Sequence, residues 1–228
     1  EFARNSLFLS SATAALAVFL GLMMAYGGRL YPRTRPTIEF SAMGYAIPGA
    51  VVGVGVAATI AMSQGALNGI LVFFGRDGGI LLFGSLMALV YAYLVRFMAV
   101  AYRPVEASLG KVTPSMDMAA RSLGASPMTT LRRIHAPLMG AGIIAGVVLV
   151  FVDVMKELPA TLFLRPIGYD TLATRVWQFT AEALWVEASL PALTIVLAGV
   201  IPVAILIRGS RRVRDKRISS PSRESVKG

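Results

Sequence analysis

The sequence predicts an all-α membrane protein, a bundle of about five transmembrane helices with one long, organised loop on its cytoplasmic side. Three observations carry this. Of 228 residues, 56% are hydrophobic and 15% charged, with a mean hydropathy of +0.68, too little charged surface for a soluble domain of this size. The apolar residues gather in five blocks, each near or above the roughly 20 residues that a membrane helix needs. The basic residues, which give a formal net charge of +10, lie mostly between and after those blocks.

The blocks run from Ser6 to Tyr26, Ala42 to Met62, Ile80 to Ala101, Leu138 to Phe163 and Ala188 to Ile207. Lys and Arg in the connections set the orientation. Segment 28–41 has three, segment 102–137 five and the stretch after Ile207 eight, sixteen in all on one side. The other side has Arg4, Arg76, Arg165 and Arg175, with Lys156 close to it. Sixteen against five places the 102–137 loop and the C-terminal stretch in the cytoplasm. Residues 1–207 are then the membrane domain, and 208–228 a basic tail, expected to be disordered and to touch anionic lipid. The chain opens Glu1-Phe2-Ala3-Arg4, without an initiator methionine or a signal-peptide pattern. It reads as part of a longer polypeptide that has lost a preceding span.

Within the spans, Gly49-x-x-x-Gly53 and Gly142-x-x-x-Gly146 fit close helix packing in lipid. Pro48 and Pro159 predict kinks or breaks.

The inner loop carries more order than a connector requires. Thr113-Pro114 reads as an N-cap followed by proline at the first helical position, where a missing N–H costs nothing. Ser115 to Leu123 makes about two turns ending at Gly124, a left-handed stop. Ser126-Pro127 opens a second helix, Met128 to Ala136, and Pro137 precedes the fourth span. Small Ala119 and Ala120 suit a helix pressed into a partner's groove; a hairpin lying on the membrane surface fits the same spacing.

At these residues the chain resembles the EAA loop of ABC importer permeases. That pattern is Glu-Ala-Ala, three residues, Gly, nine residues, then Ile-x-Leu-Pro. Here Met118-Ala119-Ala120, Gly124 and Ile134-His135-Ala136-Pro137 keep the spacing, with Met118 in place of the glutamate and Ala136 in place of the leucine. Asp117 is the nearest carboxylate, about 100° away around a helix. Gly44 to Gly49, Val95-Arg96-Phe97, Ala119 to Pro127, Lys156 to Pro166 and Thr171-Leu172-Ala173 are similar to ferric-iron import permeases, in which one polypeptide often carries two such halves; this chain suits the second. The resemblance implies an ABC ATPase dimer docked on the loop, a second permease half or homologous subunit, and a periplasmic substrate-binding protein that delivers cargo. It also implies a place in the bacterial inner membrane. Thiamine, phosphonate, polyamine, sulfate and molybdate permeases share the frame.

No phosphate-binding loop is present, since Gly110-Lys111 is followed by Val112 without the upstream glycine. ATP hydrolysis therefore belongs to another subunit, and no enzymatic cofactor is expected. With no cysteine and one histidine, neither a thiolate nor a multi-histidine metal site is available. No reader motif accompanies the basic charge, which excludes nucleic acid as a partner. A membrane scaffold remains the competing class.

Asp153, Lys156 and Glu157 put charges in the outer half of the fourth span, with Pro159 beside them. Spacings of three and four place them on one face, so that Lys156 pairs with Asp153 while Asp153 and Glu157 stack. Such charges face a cavity or a partner: a translocation path, an outer gate, or a lock between permease halves. Asp153, Glu157 and Tyr169 offer oxygen ligands to ferric iron, yet a tightly held cargo would not leave, so specificity is expected in the binding protein. Arg96 is read as snorkelling to the interface, His135 as surface-facing, and Trp177 and Trp185 as an aromatic belt or re-entrant helix.

Overall fold

Three helices that pass one another at small residues form the centre of the protein. The computed structural model describes residues 1–75 and 84–218. Helix α1 (Phe2–Leu30), α4 (Leu86–Leu109) and α7 (Ala136–Met155) pack mutually. Ala14, Ala17, Ala92, Ala101, Met139 and Val150 are fully buried between them. A Cβ on Gly142 would collide with the Pro104 carbonyl and the Ser108 side chain, and one on Gly146 would lie 3.1 Å from the Ala101 carbonyl. Lipid gives apolar side chains little reason to leave it, so this close backbone approach is what holds the helices together.

The remaining elements are a 3₁₀ turn (Pro32–Thr34), α2 (Arg35–Ser41), a second 3₁₀ turn (Ala42–Ala46), α3 (Gly49–Phe73), α5 (Pro114–Ser122), α6 (Pro127–Thr130), a π turn (Leu131–His135), α8 (Pro159–Leu164), α9 (Leu172–Ala181) and α10 (Trp185–Ile218). Among the described residues there is no strand, and five helical segments are long and apolar enough to cross a membrane. This is the expected all-α bundle. The α3 helix packs on α8 and α4, and α10 on α7 and α9.

Proline chemistry explains where the spans depart from the sequence reading. The second span begins at Gly49, not Ala42, because Pro48 forces Ile47 into an extended conformation (φ −85°, ψ 132°). The fourth stops at Met155, short of Phe163: the ring of Pro159 would clash with the carbonyl four residues earlier, that of Met155. Both predicted breaks are therefore present. Pro137, expected to separate the loop from the fourth span, does not. The wider π turn at Leu131–His135 makes room for its ring, and the chain is helical without interruption from Pro127 to Met155. The α4 helix extends past Ala101 to Leu109, which shortens the inner loop. Helix α10 likewise runs to Ile218, beyond the expected start of a disordered tail at Arg208, in keeping with the good helix propensity of Arg and Lys. Residues 219–228 of that tail lie outside the described residues.

Substituting Gly142 by Leu should destabilise the bundle by about 3 kcal/mol or more, since rigid backbone is the obstacle. Thermal unfolding in detergent measures this, with Gly140→Leu, whose Cβ meets nothing, as the mild comparison.

Candidate functional site

The loop between α4 and α7 is built as its sequence predicts and anchored in a way it does not. Pro114 opens α5, and Leu123 ends it. Gly124 takes φ +73°, a left-handed conformation that a side chain disfavours. The Ala125 N–H donates to the Ala120 carbonyl and the Gly124 N–H to that of Arg121, each at 2.9 Å, the paired bonds of a Schellman stop. Ser126 caps α6 by accepting from the Thr129 N–H at 3.2 Å. Thr113 holds the N-cap position of α5, but its hydroxyl meets Ser115 at 2.8 Å and makes no backbone cap.

Asp117 turns inward. Its Oδ2 accepts from Arg29 Nη2 at 2.6 Å and Nε at 3.1 Å, and Nη1 of the same guanidinium donates to the Val112 carbonyl at 2.9 Å. Nε2 of His135 lies 2.8 Å from Asp117 Oδ1. His135 is 1% exposed, with the Tyr26 ring edge-on at 5.6 Å, so its expected surface position is corrected. The Tyr26 hydroxyl donates to the Pro127 carbonyl at 2.9 Å. A cavity of about 140 Å³ remains among Tyr26, Arg29, Asp117, Arg121 and His135.

Outward, the loop shows large apolar side chains between the exposed Arg121, Arg132 and Arg133. Leu123 is 87% and Met118 62% exposed, with Met116 and Met128 also open. Ala119 is exposed and Ala120 buried. Ile134 is half-buried and Pro137 exposed.

The second cluster joins two helix breaks. Glu157 is 6% exposed and lies 3.3 Å from Arg96 Nε. Arg96 Nη1 donates to the Ile47 carbonyl at 2.7 Å, which the extended residue before Pro48 leaves without a helical partner. Arg96 thus bridges α4 to both breaks and does not snorkel. Glu157 Oε1 accepts from the Ala160 N–H at 3.2 Å, at the start of α8. A Cβ on Gly49 would sit 2.5 Å from Glu157 Oε1, so Gly49 clears the space for the pair. The buried Tyr93 and Thr161 hydroxyls meet at 2.5 Å alongside. Lys156 pairs with Asp153 at 3.0 Å as expected. Asp153 and Glu157 do not stack, because the helix ends between them at Met155. Among the described residues no group of three His, Cys, Asp or Glu side chains comes together to hold a metal ion. Nearer the start of α1, Asn5 donates to the Asp170 carbonyl and Ser6 accepts from the N–H of Leu172, the first residue of α9, while Arg165 pairs with Asp170. Trp177 and Trp185, exposed on α9 and α10, flank this region.

Residues 17–220 match the family described as "binding-protein-dependent transport system inner membrane component". The chain belongs to this family. It is 30% identical to the Fe(3+)-transport system permease protein FbpB 2 of Haemophilus influenzae, over 89% of this chain and 37% of that protein. It is 27% identical to PhnV of Salmonella typhimurium, a permease protein named for 2-aminoethylphosphonate transport, over 86% of this chain and 68% of that protein. The chain thus spans little more than a third of the ferric-named relative. Its fold is similar to a solved bacterial alginate ABC transporter in complex with alginate pentasaccharide-bound periplasmic protein (TM-score 0.68, 16% identity, 93% of this chain and 78% of that one).

Burial raises the Asp117 carboxyl, but the Arg29 guanidinium and His135 outweigh it and hold the group below the ordinary value of 3.8. A depressed carboxyl contributes stability that is present above its unfolded pKa and lost as pH falls through the folded one. Tryptic cleavage at the exposed Arg121, Arg132 and Arg133 should therefore stay slow from pH 8 to 5. Asp117→Asn should speed it at pH 7, the loss being about 1 kcal/mol at this partly exposed site.

Proposed function

We propose that the chain is the membrane half of an ATP-driven importer of ferric iron, coupled through α5 and its flanks to a separate ABC ATPase dimer. In this reading the loop and the end of α10 face the cytoplasm of a bacterial inner membrane. A second permease half completes the pathway, and a periplasmic binding protein delivers cargo at the opposite end. The observation that carries the reading is the loop itself: α5, closed by a Schellman turn at Gly124, and the start of α6 together project Met118, Leu123 and Met128 outward. Exposed methionines and a leucine on two short, adjoining helical turns suit a groove lined by apolar side chains. Because Asp117 is engaged inside, docking here rests on apolar contact, with Met118 where related loops have a carboxylate.

The ferric-named relative supports iron as the cargo, and iron in this account passes through without a tight site in the membrane. Asp153, Lys156, Glu157 and Pro159 belong to the outer part of the path or its gate. The 2-aminoethylphosphonate-named relative supports a second reading of the cargo with the same mechanism.

Radiolabelled ferric-iron uptake in a deletion strain tests the cargo: restored uptake supports iron, whereas restored 2-aminoethylphosphonate uptake alone supports the second reading. Leu123→Asp should weaken ATPase co-purification by about tenfold or more, as loss of an apolar anchor does.

A further inference from the structure

The same loop is tied to the membrane bundle at one compact cluster, and that tie has a geometry suited to transmitting movement. Three separate parts of the chain converge on the Asp117 carboxylate. Arg29 comes from the last turn of α1 and meets Oδ2 with two donors. His135 comes from the π turn that opens into α7 and meets Oδ1. Asp117 itself lies in the first turn of α5. The second arm of the Arg29 fork reaches the Val112 and Leu109 carbonyls, at 2.9 and 3.4 Å, just beyond and at the end of α4. Tyr26, one turn back on α1, closes the far side through its bond to the Pro127 carbonyl and its edge contact with His135.

One side chain on the docking helix is thus held by both of the core helices that flank the loop in the bundle, and the guanidinium also grips the end of the third. A planar guanidinium fork fixes direction as well as distance. His135 is buried and the Arg29 and Asp117 side chains are 20% and 25% exposed, so water competes less for these contacts than it would at a surface pair.

We propose that Arg29, Asp117 and His135 are positioning residues that form the joint through which displacement of α5 is passed to α1, α4 and α7. The inference rests on the docking reading above, and adds which bonds convert docking into motion of the membrane helices. The exposed face of α5 grips the ATPase; the inward face carries the load.

The test uses the permease assembled with its ATPase in nanodiscs, comparing amide hydrogen exchange with and without ATP. In the wild type, ATP should change exchange in α5 and also in the inner ends of α1 and α7. In Asp117→Asn, the change in α5 should persist with ATPase still bound, while the changes in α1 and α7 shrink by about fivefold or more, the scale of a typical coupling between sites. The charge swap Arg29→Asp with Asp117→Arg should restore part of them, which a merely unfolded loop would not allow. Undiminished changes in α1 and α7 in Asp117→Asn would overturn the joint, as would release of the ATPase, which would make Asp117 a direct contact. A wild type whose α5 is indifferent to ATP would instead sink the docking reading itself.

Discussion

Everything in this protein hangs on three helices that approach one another closely enough for backbone to meet side chain. In lipid the hydrophobic effect does not drive helices together, so contact distance must do the work. Gly142 and Gly146 on α7 and Ala101 on α4 provide it, and the carbonyls of Ala101 and Pro104 lie directly beneath the missing Cβ atoms. The packed core of α1, α4 and α7 is rigid on that account. It gives the loop at one end and the broken helices at the other a common frame. α10, by contrast, presents most of its surface outward, Leu190, Leu193, Val200 and Ile205 among it, as a helix facing lipid or another subunit does.

Charges inside the frame are placed where the backbone itself is incomplete. Pro48 and Pro159 each interrupt a span, and an interruption within a membrane leaves polar groups that water cannot reach. Arg96 supplies a donor to the carbonyl left open at Ile47, and Glu157 an acceptor to the amide left open at Ala160. The two side chains then neutralise each other. Removing one alone would leave a buried charge and an open backbone group together, which costs far more than the pair contributes. At the loop, Arg29 and Asp117 repeat the same economy with the carbonyl of Val112.

What could be read from the residues in order was whatever neighbouring residues decide. The five spans follow from block length, the Gly124 stop from a glycine after two helical turns, and the breaks from Pro48 and Pro159. Lys156 finds Asp153 because three positions along a helix are neighbours by construction. The errors share the opposite character. His135 looked like a surface residue because its partners, Tyr26 and Asp117, are distant in the chain. Arg96 looked like an anchor because Glu157 and Ile47 are brought to it only by packing. Pro137 looked like a boundary because a π turn, which alters the usual clash, leaves no simple local signature. Asp117 is the instructive case. In the sequence it is simply the nearest carboxylate to Met118, and only the fold turns it toward Arg29.

The proposed contact between the tip of this loop, around Leu123, and an ATPase subunit is open to a direct test. The chain has no cysteine, so a single thiol can be placed without background. Leu123→Cys in the assembled transporter should cross-link to the ATPase through a short thiol-to-amine reagent, while Ile167→Cys, fully exposed at the opposite end, should not. Cross-linking from Ile167 and none from Leu123 would rule that contact out.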